Sequence, residues 1–380
     1  MDFVEYRFDE VTINFDKKRI PLSAAQREKR KGEYRYFGAQ GVIDHIDDYI
    51  FDGTYLLIAE DGENLKSKKQ NIAQVVDGKF WVNNHAHIVQ GNGLCNTRYL
   101  CYLLNSMDLS GYVTGSAQPK LSQANLNAVT LILPAISIQE KVAECLYMFD
   151  KKISVNEQIN DNLEQQAQAL FQELFIENAD PEWREGTISD LGTVVGGSTP
   201  SKSKPEYYTE HGIAWITPKD LSVNKSKFIT HGENDITELG LKNSSASIMP
   251  EGTVLFSSRA PIGYIAIAAG EVTTNQGFKS VIPRPAIGTP FVYYFLKNAL
   301  PTIEGMASGS TFKEVSGSTM KIVPAFIPDD ETLARFTEFC SPIFEQQQML
   351  ERQNQSLAAL RDSLLPKLMS GEIDVSDVSI

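Results

Sequence analysis

The chain has 380 residues, which is enough for two or three domains of ordinary size. Hydrophobic residues make up 42% and charged residues 22%, a composition typical of a globular protein with a buried core. No run approaches the ~18 apolar residues of a membrane span. The start, MDFVEYRFDE, has neither the apolar segment nor the basic lead of a secretory signal. We therefore expect a cytoplasmic protein with no membrane contact.

The net charge of −13 argues at first against a nucleic-acid partner, but its distribution is uneven. Residues 138–180 hold nine acidic and three basic side chains, and residues 329–380 hold ten acidic and four basic ones. Residues 17–35, by contrast, hold eight basic and two acidic side chains. The acidic charge is therefore concentrated in two segments, and the basic run of residues 17–35 is a candidate for contacts with phosphates.

The two acidic segments are copies of one segment. Pro134 aligns with Pro328 and Leu163 with Leu357, both at an offset of 194 residues. Upstream, GSAQPKL at residue 115 aligns with GSTFKEV at residue 309, at the same offset and without a gap. A constant offset over a long stretch predicts an internal duplication.

Each copy turns helical after its proline. The first apolar stripe comprises Ile138, Val142, Cys145, Phe149, Ile159, Leu163 and Leu170, and the second comprises Phe336, Phe339, Ile343, Leu350, Leu357, Leu360 and Leu364. Spacings of three and four predict two long helices packed as an antiparallel coiled coil. Polar residues in the seam, such as Asn156 and Gln353, would fix its register. The alternative is two separate amphipathic helices, each packed on its own domain.

The segments between the helices are rich in Gly, Thr, Ser, Val and Ile, with short apolar runs broken by turn residues, a pattern that predicts strands. The predicted fold class is therefore α+β. Two mixed α/β domains form a tandem repeat, separated by two long helices. The predicted boundaries are 1–136 for the first domain, 137–178 for the first helix, 179–327 for the second domain, and 328–380 for the second helix and the tail.

Motifs of common enzymes are absent from the sequence. GGSTPSKS at residue 196 lacks the spacing of a phosphate-binding loop, and no nucleophile elbow or amino-methyltransferase NPPY run occurs. His85 and His87 lie on one face of a predicted strand, upstream of Cys95 and Cys101, so a zinc site is conceivable, although ordinary strand residues explain the pattern better. The four cysteines show no CxxC spacing and are expected to be free thiols.

The remaining pattern suits DNA binding. Lysine and arginine suit phosphates, whereas Arg, Asn and Gln are able to pair with base edges. The candidates in the first domain are Lys17, Lys18, Arg19, Arg35, Tyr36, Gln40, Lys66, Lys68 and Lys69. The candidates in the second domain are Thr199, Lys202, Lys204, Trp215, Lys219, Ser258, Arg259, Asn275 and Gln276. The alternative is that the charges belong to solvated loops and the aromatic residues to the core.

Several motifs in order carry a family resemblance. They are RYFGAQGVIDHIDDYIFDGTYLLIAEDGENL at residue 35, LGTVVGGSTPSKSKPEYY at 191, GIAWITPKDLS at 212, SSRAPIGYIAIA at 257 and LRDSLLPKLMSGEI at 360. With these motifs the chain resembles the specificity (S) subunits of Type I restriction–modification systems over essentially its whole length. The resemblance implies two target-recognition domains, each reading one half of a split DNA sequence across a gap that the helices set.

The resemblance also implies a division of labour. This chain would be non-catalytic, and its partners would be double-stranded DNA, modification (methyltransferase) subunits and ATP-dependent restriction subunits. S-adenosylmethionine, ATP and magnesium would be used by those partner subunits, and none would be a cofactor of this chain. Two other functions remain open: a protein-interaction scaffold built on the coiled coil, and a zinc hydrolase that uses His85, His87 and a cysteine.

Overall fold

The computed structural model describes residues 2–67, 70–115, 118–309 and 313–376. The chain divides into two compact units. The first comprises Met1–Ile153 and Ser356–Ile380, and the second comprises Ser154–Gln355. Within the described ranges, no helix has both the length and the apolar character that crossing a membrane requires.

The first unit is built from strands and short helices, and its third, fourth and fifth strands are consecutive in the chain. Its described strands are β1 (Phe3–Arg7), β2 (Thr12–Asn14), β3 (Lys31–Gly38), β4 (Gly41–Ile46), β5 (Phe51–Ala59), β6 (Ala73–Val82), β7 (Ala86–Gly91) and β8 (Thr130–Pro134). Its short α-helices are α1 (Phe8–Val11), α2 (Ala24–Glu28), α3 (Asn64–Ser67), α4 (Thr97–Ser106) and α5 (Gln123–Asn127). Single 3₁₀ turns occur at Asp16–Lys18 and Ser110–Tyr112.

The core of the first unit is built around β5. Six strands form one sheet in the order β2-β7-β5-β6-β3-β4, and β1 pairs with β8 separately. Side chains alternate along β5: Leu56 and Ile58 pack with Tyr99 of α4 in one cluster, whereas Leu57 packs with Phe80 in another. Both faces of the second half of β5 are therefore buried, which explains the continuous apolar run from Tyr55 to Ala59.

The first long helix, α6 (Ile136–Gln172), ends in a π-helical turn at Glu173–Glu177. The strands of the second unit are β9 (Arg184–Thr187), β10 (Gly192–Gly196), β11 (Tyr208–Thr209), β12 (Ile213–Ile216), β13 (Phe228–Ile229), β14 (Asn234–Ile236), β15 (Val254–Ser258), β16 (Ile262–Ala268), β17 (Thr273–Thr274), β18 (Lys279–Pro283) and β19 (Pro324–Ile327). Its short helices are α7 (Ile188–Leu191), α8 (Pro218–Val223), α9 (Glu238–Lys242), α10 (Thr289–Asn298), α11 (Leu300–Gly305) and α12 (Gly317–Lys321), with a 3₁₀ turn at Pro205–Tyr207. The second long helix is α13 (Asp330–Ser370).

The second unit contains a five-stranded sheet in the order β10-β18-β15-β16-β13, a four-stranded sheet in the order β11-β14-β12-β17, and the pair β9 and β19. An aromatic cluster joins this domain to both long helices. Phe171 of α6 lies 5.9 Å from Phe291 of α10 and 5.8 Å from Phe336 of α13, measured between ring centroids. Offset aromatic packing of this kind adds to the free energy gained from burial.

The long helices pair antiparallel within each unit. In the first unit Arg361 of α13 contacts Asp150 of α6 at 2.5 Å. In the second unit the Asn156 side chain donates to Gln353 at 2.8 Å, and the Gln347 side chain donates to the Asn160 carbonyl at 3.1 Å. Successive contacts therefore involve higher residue numbers in α6 and lower residue numbers in α13, as an antiparallel pair requires. The predicted coiled coil is confirmed, and the alternative of two separate helices is wrong.

The duplication is visible in the backbone. Thr114 and Lys120 exchange two backbone hydrogen bonds in the first unit, and Ser308 and Glu314 exchange two in the second. Both pairs obey the offset of 194 that the sequence predicts. The expected tandem repeat of mixed α/β domains is therefore confirmed.

Candidate nucleic-acid interface

An open cleft of about 480 Å³ lies on the surface of the second unit. Seven residues that the sequence analysis singled out line it, and these are Thr199, Lys202, Trp215, Lys219, Arg259, Asn275 and Gln276. They come from segments up to 77 residues apart that the fold brings together. Cations and amide side chains therefore share one concave surface.

Trp215 forms the floor of this cleft. Its ring is only 6% exposed, and its indole N–H donates to the Ser198 carbonyl at 3.0 Å. Tyr208 meets the ring edge-on at 5.7 Å and donates its hydroxyl to the Pro200 carbonyl at 2.6 Å. The two aromatic residues thus fix the loop that carries Thr199, and Trp215 supports the interface from below.

A tight turn between β17 and β18 presents the amide side chains. The Asn275 side chain accepts a hydrogen bond from the Gly277 N–H at 2.8 Å, which ties it to the turn. Gln276 is exposed, and its side-chain oxygen accepts a hydrogen bond from the Thr199 hydroxyl. The turn packs closely on Gly197, where an added Cβ would lie 2.0 Å from the Asn275 carbonyl oxygen. Gly197 is therefore required for this geometry.

Charges around the cleft are partly balanced. Lys219 pairs with Glu233 at 2.5 Å, and Arg259 lies 3.5 Å from Glu314. Within the part of the chain that the structure describes, Lys202 forms no ion pair. Because these side chains are exposed, their pairing is weak and phosphates are able to compete for the cations.

Lys279 is a cation that the sequence analysis missed. Its ammonium group donates to the Gln276 carbonyl at 3.2 Å and lies 3.8 Å from Glu314. Burial lowers the pKa of Lys279, and Glu314 opposes that shift. The only signal in the sequence is a lysine directly after the Asn-Gln-Gly-Phe turn, at the start of an apolar strand.

Two other predicted residues of this domain lie elsewhere. Ser258 is fully buried, and its hydroxyl donates to the Gly277 carbonyl at 3.1 Å, so it supports the turn from inside. Lys204 is exposed outside the cleft lining and lies 3.7 Å from Glu206. The interface that we propose therefore contains neither of them.

In the first unit, four predicted residues make structural contacts. Arg19 bridges Asp16 and Glu60, at 3.5 and 2.9 Å. Tyr36 is fully buried, and its hydroxyl accepts a hydrogen bond from the Leu22 N–H. The other two donate hydrogen bonds, Arg35 to the Asp77 carbonyl and Gln40 to the Asn64 side chain. Because Tyr36 presents no surface to a base, it belongs to the core and not to the proposed interface.

The early basic run is largely neutralised inside its own domain. Arg27 and Lys31 both contact Asp44, at 3.1 and 2.9 Å, and Arg30 contacts Asp47 at 2.8 Å. Hydrogen bonds from Lys31, the His45 N–H and Arg27 hold the pKa of Asp44 at about 2. Lys17 and Lys18 are exposed and form no ion pair with a described residue, and Lys66 donates to the Gly115 carbonyl at 2.9 Å. Lys68 and Lys69 lie outside the described residues.

The zinc hypothesis for the first domain has no geometric support. His87 is buried with Nδ1 2.6 Å from Asp16 and Nε2 2.8 Å from the Leu121 carbonyl, so both ring nitrogens are engaged. Burial works against the charged ring, but the hydrogen bond to Asp16 raises the pKa of His87 overall. Burial also raises the pKa of Cys95 and Cys101 to about 12, which keeps both thiols neutral. Among the described residues, no three His, Cys, Asp or Glu side chains are grouped to hold a metal ion.

Asp61, which follows the end of β5, and Lys120 were also missed, and they lie beside His85, which the sequence analysis considered only as a zinc ligand. His85 lies with Nδ1 2.7 Å from the Asp61 carboxylate, and its ring is half exposed. Lys120 lies beside them, 3.3 Å from Glu60. These residues are far apart in the sequence, and only the β5–β7 pairing and the repeat correspondence identify them as a group.

Comparisons with known proteins place this geometry in context. A family model described as Type I restriction modification DNA specificity domain matches residues 2–165 and 181–361. The specificity subunit of the Type I restriction enzyme MjaIX from Methanocaldococcus jannaschii is 39% identical over 189 residues, which cover 49% of this chain and 44% of that protein. The match thus spans less than half of that relative's length.

Two further proteins match over most of the chain. The specificity subunit of the Type I restriction enzyme HindI from Haemophilus influenzae is 25% identical over 404 residues, covering 85% of this chain and 84% of that protein. The crystal structure of a Type-I restriction-modification system S subunit from M. genitalium covers 97% of this chain and 96% of its own, with a TM-score of 0.60 and 15% identity. That likeness shows a common fold.

Proposed function

This chain belongs to the family of Type I restriction modification DNA specificity domains, and we propose that it is the sequence-specific DNA-binding subunit of such a system. It reads a bipartite DNA target with a fixed gap, one half with each domain. It then directs modification and restriction subunits to that target in the cytoplasm. The chain itself is non-catalytic.

The cleft of the second unit carries this proposal. Lys202, Lys219 and Arg259 supply the positive groups that phosphate contacts need, and Gln276 stands exposed beside them. Phosphate contacts position a protein on the duplex, whereas arginine and amide side chains read base edges. A surface that combines both, on a rigid turn with a buried tryptophan below it, suits sequence reading better than protein binding.

The cofactors follow from the same division of labour. We propose that S-adenosylmethionine serves the modification subunits and that ATP and magnesium serve the restriction subunits. This chain contributes the position on DNA at which those reactions occur.

The test is to co-express the chain with the modification subunit of its system and to sequence the DNA for methylated bases. We expect a split motif with a constant unread gap. A stable complex that methylates nothing, and whose formation ignores added DNA and salt, would instead support the protein-interaction scaffold.

A single substitution checks the role of the cleft. Arg259→Ala should lower affinity for the target more than affinity for random DNA, because a base contact is lost. Lys204→Ala is the matched control, since Lys204 is exposed in the same domain outside the cleft lining. Equal losses on both DNAs would reduce Arg259 to a phosphate contact.

A further inference from the structure

The end of β5 in the first unit has a distinctive backbone arrangement. The Glu60 N–H donates to the His85 carbonyl at 2.9 Å, and the Leu121 N–H donates to the Glu60 carbonyl at 2.8 Å. Beside them, Thr114 and Lys120 exchange two hydrogen bonds of 2.8 Å. We call this arrangement the strand-end corner.

The end of β15 in the second unit has the same corner. The Ser258 N–H donates to the Gly277 carbonyl at 2.7 Å, and the Val315 N–H donates to the Ser258 carbonyl at 3.0 Å. Ser308 and Glu314 exchange hydrogen bonds of 3.0 and 2.8 Å. Four backbone hydrogen bonds thus recur in the same pattern, and they define which residues correspond.

The charges at corresponding positions are reversed. Asp61 follows the first strand end and forms an antiparallel β-bridge with Lys120. Arg259 follows the second strand end and forms the same bridge with Glu314. The residue that follows the strand end is therefore an anion in the first domain, Asp61, and a cation in the second, Arg259. Its bridge partner carries the opposite charge in each domain.

The side chains of Asp61 and Arg259 are both partly exposed. The Arg259 guanidinium is 37% exposed and lines a second open cleft, of about 650 Å³, besides the one already described. The Asp61 carboxylate is 22% exposed, and the half-exposed His85 ring holds it at 2.7 Å. Since backbone hydrogen bonds hold each corner together, the fold does not require either charge.

We propose that Asp61 and Arg259 are equivalent specificity determinants that read different bases. Asp61 accepts a hydrogen bond from a base amino group, cytosine N4 or adenine N6, whereas Arg259 donates to the O6 and N7 atoms of guanine. This inference rests on the proposed DNA-reading function and adds the chemistry that distinguishes the two half-sites.

The test uses the complete complex with modification subunits and records methylated sites base by base. Asp61→Asn should change the preference at one position of one half-site, and Arg259→Gln should change it at one guanine of the other. For Arg259→Gln, the lost bidentate contact predicts a fall in discrimination of about 5- to 150-fold at that guanine, and Asp61→Asn, which changes a single hydrogen bond, should have a smaller effect. The unaffected half-site in each variant is the internal control.

Matched controls remove the same charges elsewhere. Asp52→Asn neutralises an exposed carboxylate of the first domain, and Arg284→Gln removes an exposed guanidinium of the second. Both should leave the target unchanged. Unchanged targets in Asp61→Asn and Arg259→Gln complexes, or losses spread evenly over all positions, would overturn the inference. Failure of the unaltered complex to select any sequence would instead overturn the proposed function.

Discussion

A buried lysine joins the second domain to both long helices. Lys227 is 8% exposed, and its ammonium group donates to Glu164 of α6 at 2.7 Å and to Gln347 of α13 at 2.9 Å. It also lies 3.7 Å from the centroid of the Phe344 ring. Burial lowers the pKa of Lys227 to about 8. Burial opposes the charge on Glu164 too, but Lys227 and Lys297 hold its pKa at about 2.

Lys227→Met should destabilise the second unit strongly. Removing one partner of a buried ion pair costs about 3–5 kcal/mol, because the other charge stays buried without compensation. Glu164 keeps Lys297 at 2.6 Å and the Tyr294 hydroxyl at 2.8 Å, so we expect the lower end, about 3 kcal/mol. Lys297→Met is the matched control, since it removes a cation from the same carboxylate but one that is 33% exposed. Its cost should be about 1 kcal/mol or less.

Urea unfolding, followed by hydrogen exchange of residues 154–355, measures both costs in the unit concerned. A Glu164→Gln background adds a second check, because Lys227→Met should cost less there once the Glu164 carboxylate, the direct partner of the ammonium group, has been neutralised. Equal costs for the two lysine variants, or a larger cost for Lys297→Met, would refute the assignment of Lys227 as the central group.

Three further outcomes are expected. The first unit should lose stability as the pH rises from 6.5 through the raised pKa of His87. It should also lose stability as the pH is lowered from 3.8 through the lowered pKa of Asp16. His87→Gln should abolish the alkaline loss in a pH series of unfolding curves. Gly197→Ala should weaken DNA binding in a titration because its Cβ meets backbone, whereas Gly196→Ala, whose Cβ has nothing nearer than 3.9 Å, should not. Asn156→Ala removes two hydrogen bonds of 2.8 Å in the helix seam and should lower thermal stability by about 1–3 kcal/mol, as calorimetry would show.

The repeat and the helices could be predicted because their signals are local. An offset of 194 aligns Pro134 with Pro328, and the structure repeats the same offset between Lys120 and Glu314. Heptad spacing depends only on neighbouring turns of one helix, so the long helices can be predicted from the local sequence without knowledge of the tertiary structure. The second-domain candidates, Asn275 and Gln276 among them, were chosen for their side-chain chemistry, and the sequence did not predict the cleft in which the fold brings seven of them together.

The ion pairs of the basic residues in the first domain could not be predicted, because their acidic partners are distant in the sequence. The basic run near Arg30 counts as a positive patch in sequence, but β4 brings Asp44 and the following Asp47 against it. Burial could not be predicted for a similar reason. Tyr36 follows a basic run and was predicted to contact DNA, yet its side chain is fully buried in the core. Local composition shows neither which acidic residues a neighbouring strand brings close nor which face of a strand is buried.

The strand-end corners and the Lys227 network show two opposite ways of placing charge on one chain. Lys227 is hydrogen-bonded through its side chain to both long helices, so changing that side chain alters stability. Asp61 and Arg259 sit beside corners held by backbone hydrogen bonds, which every residue except proline is able to make. Their side chains are therefore free to change sign between the two domains while the frame stays constant. The inference that the two domains read different bases depends on this separation of the constant backbone frame from the variable side chain.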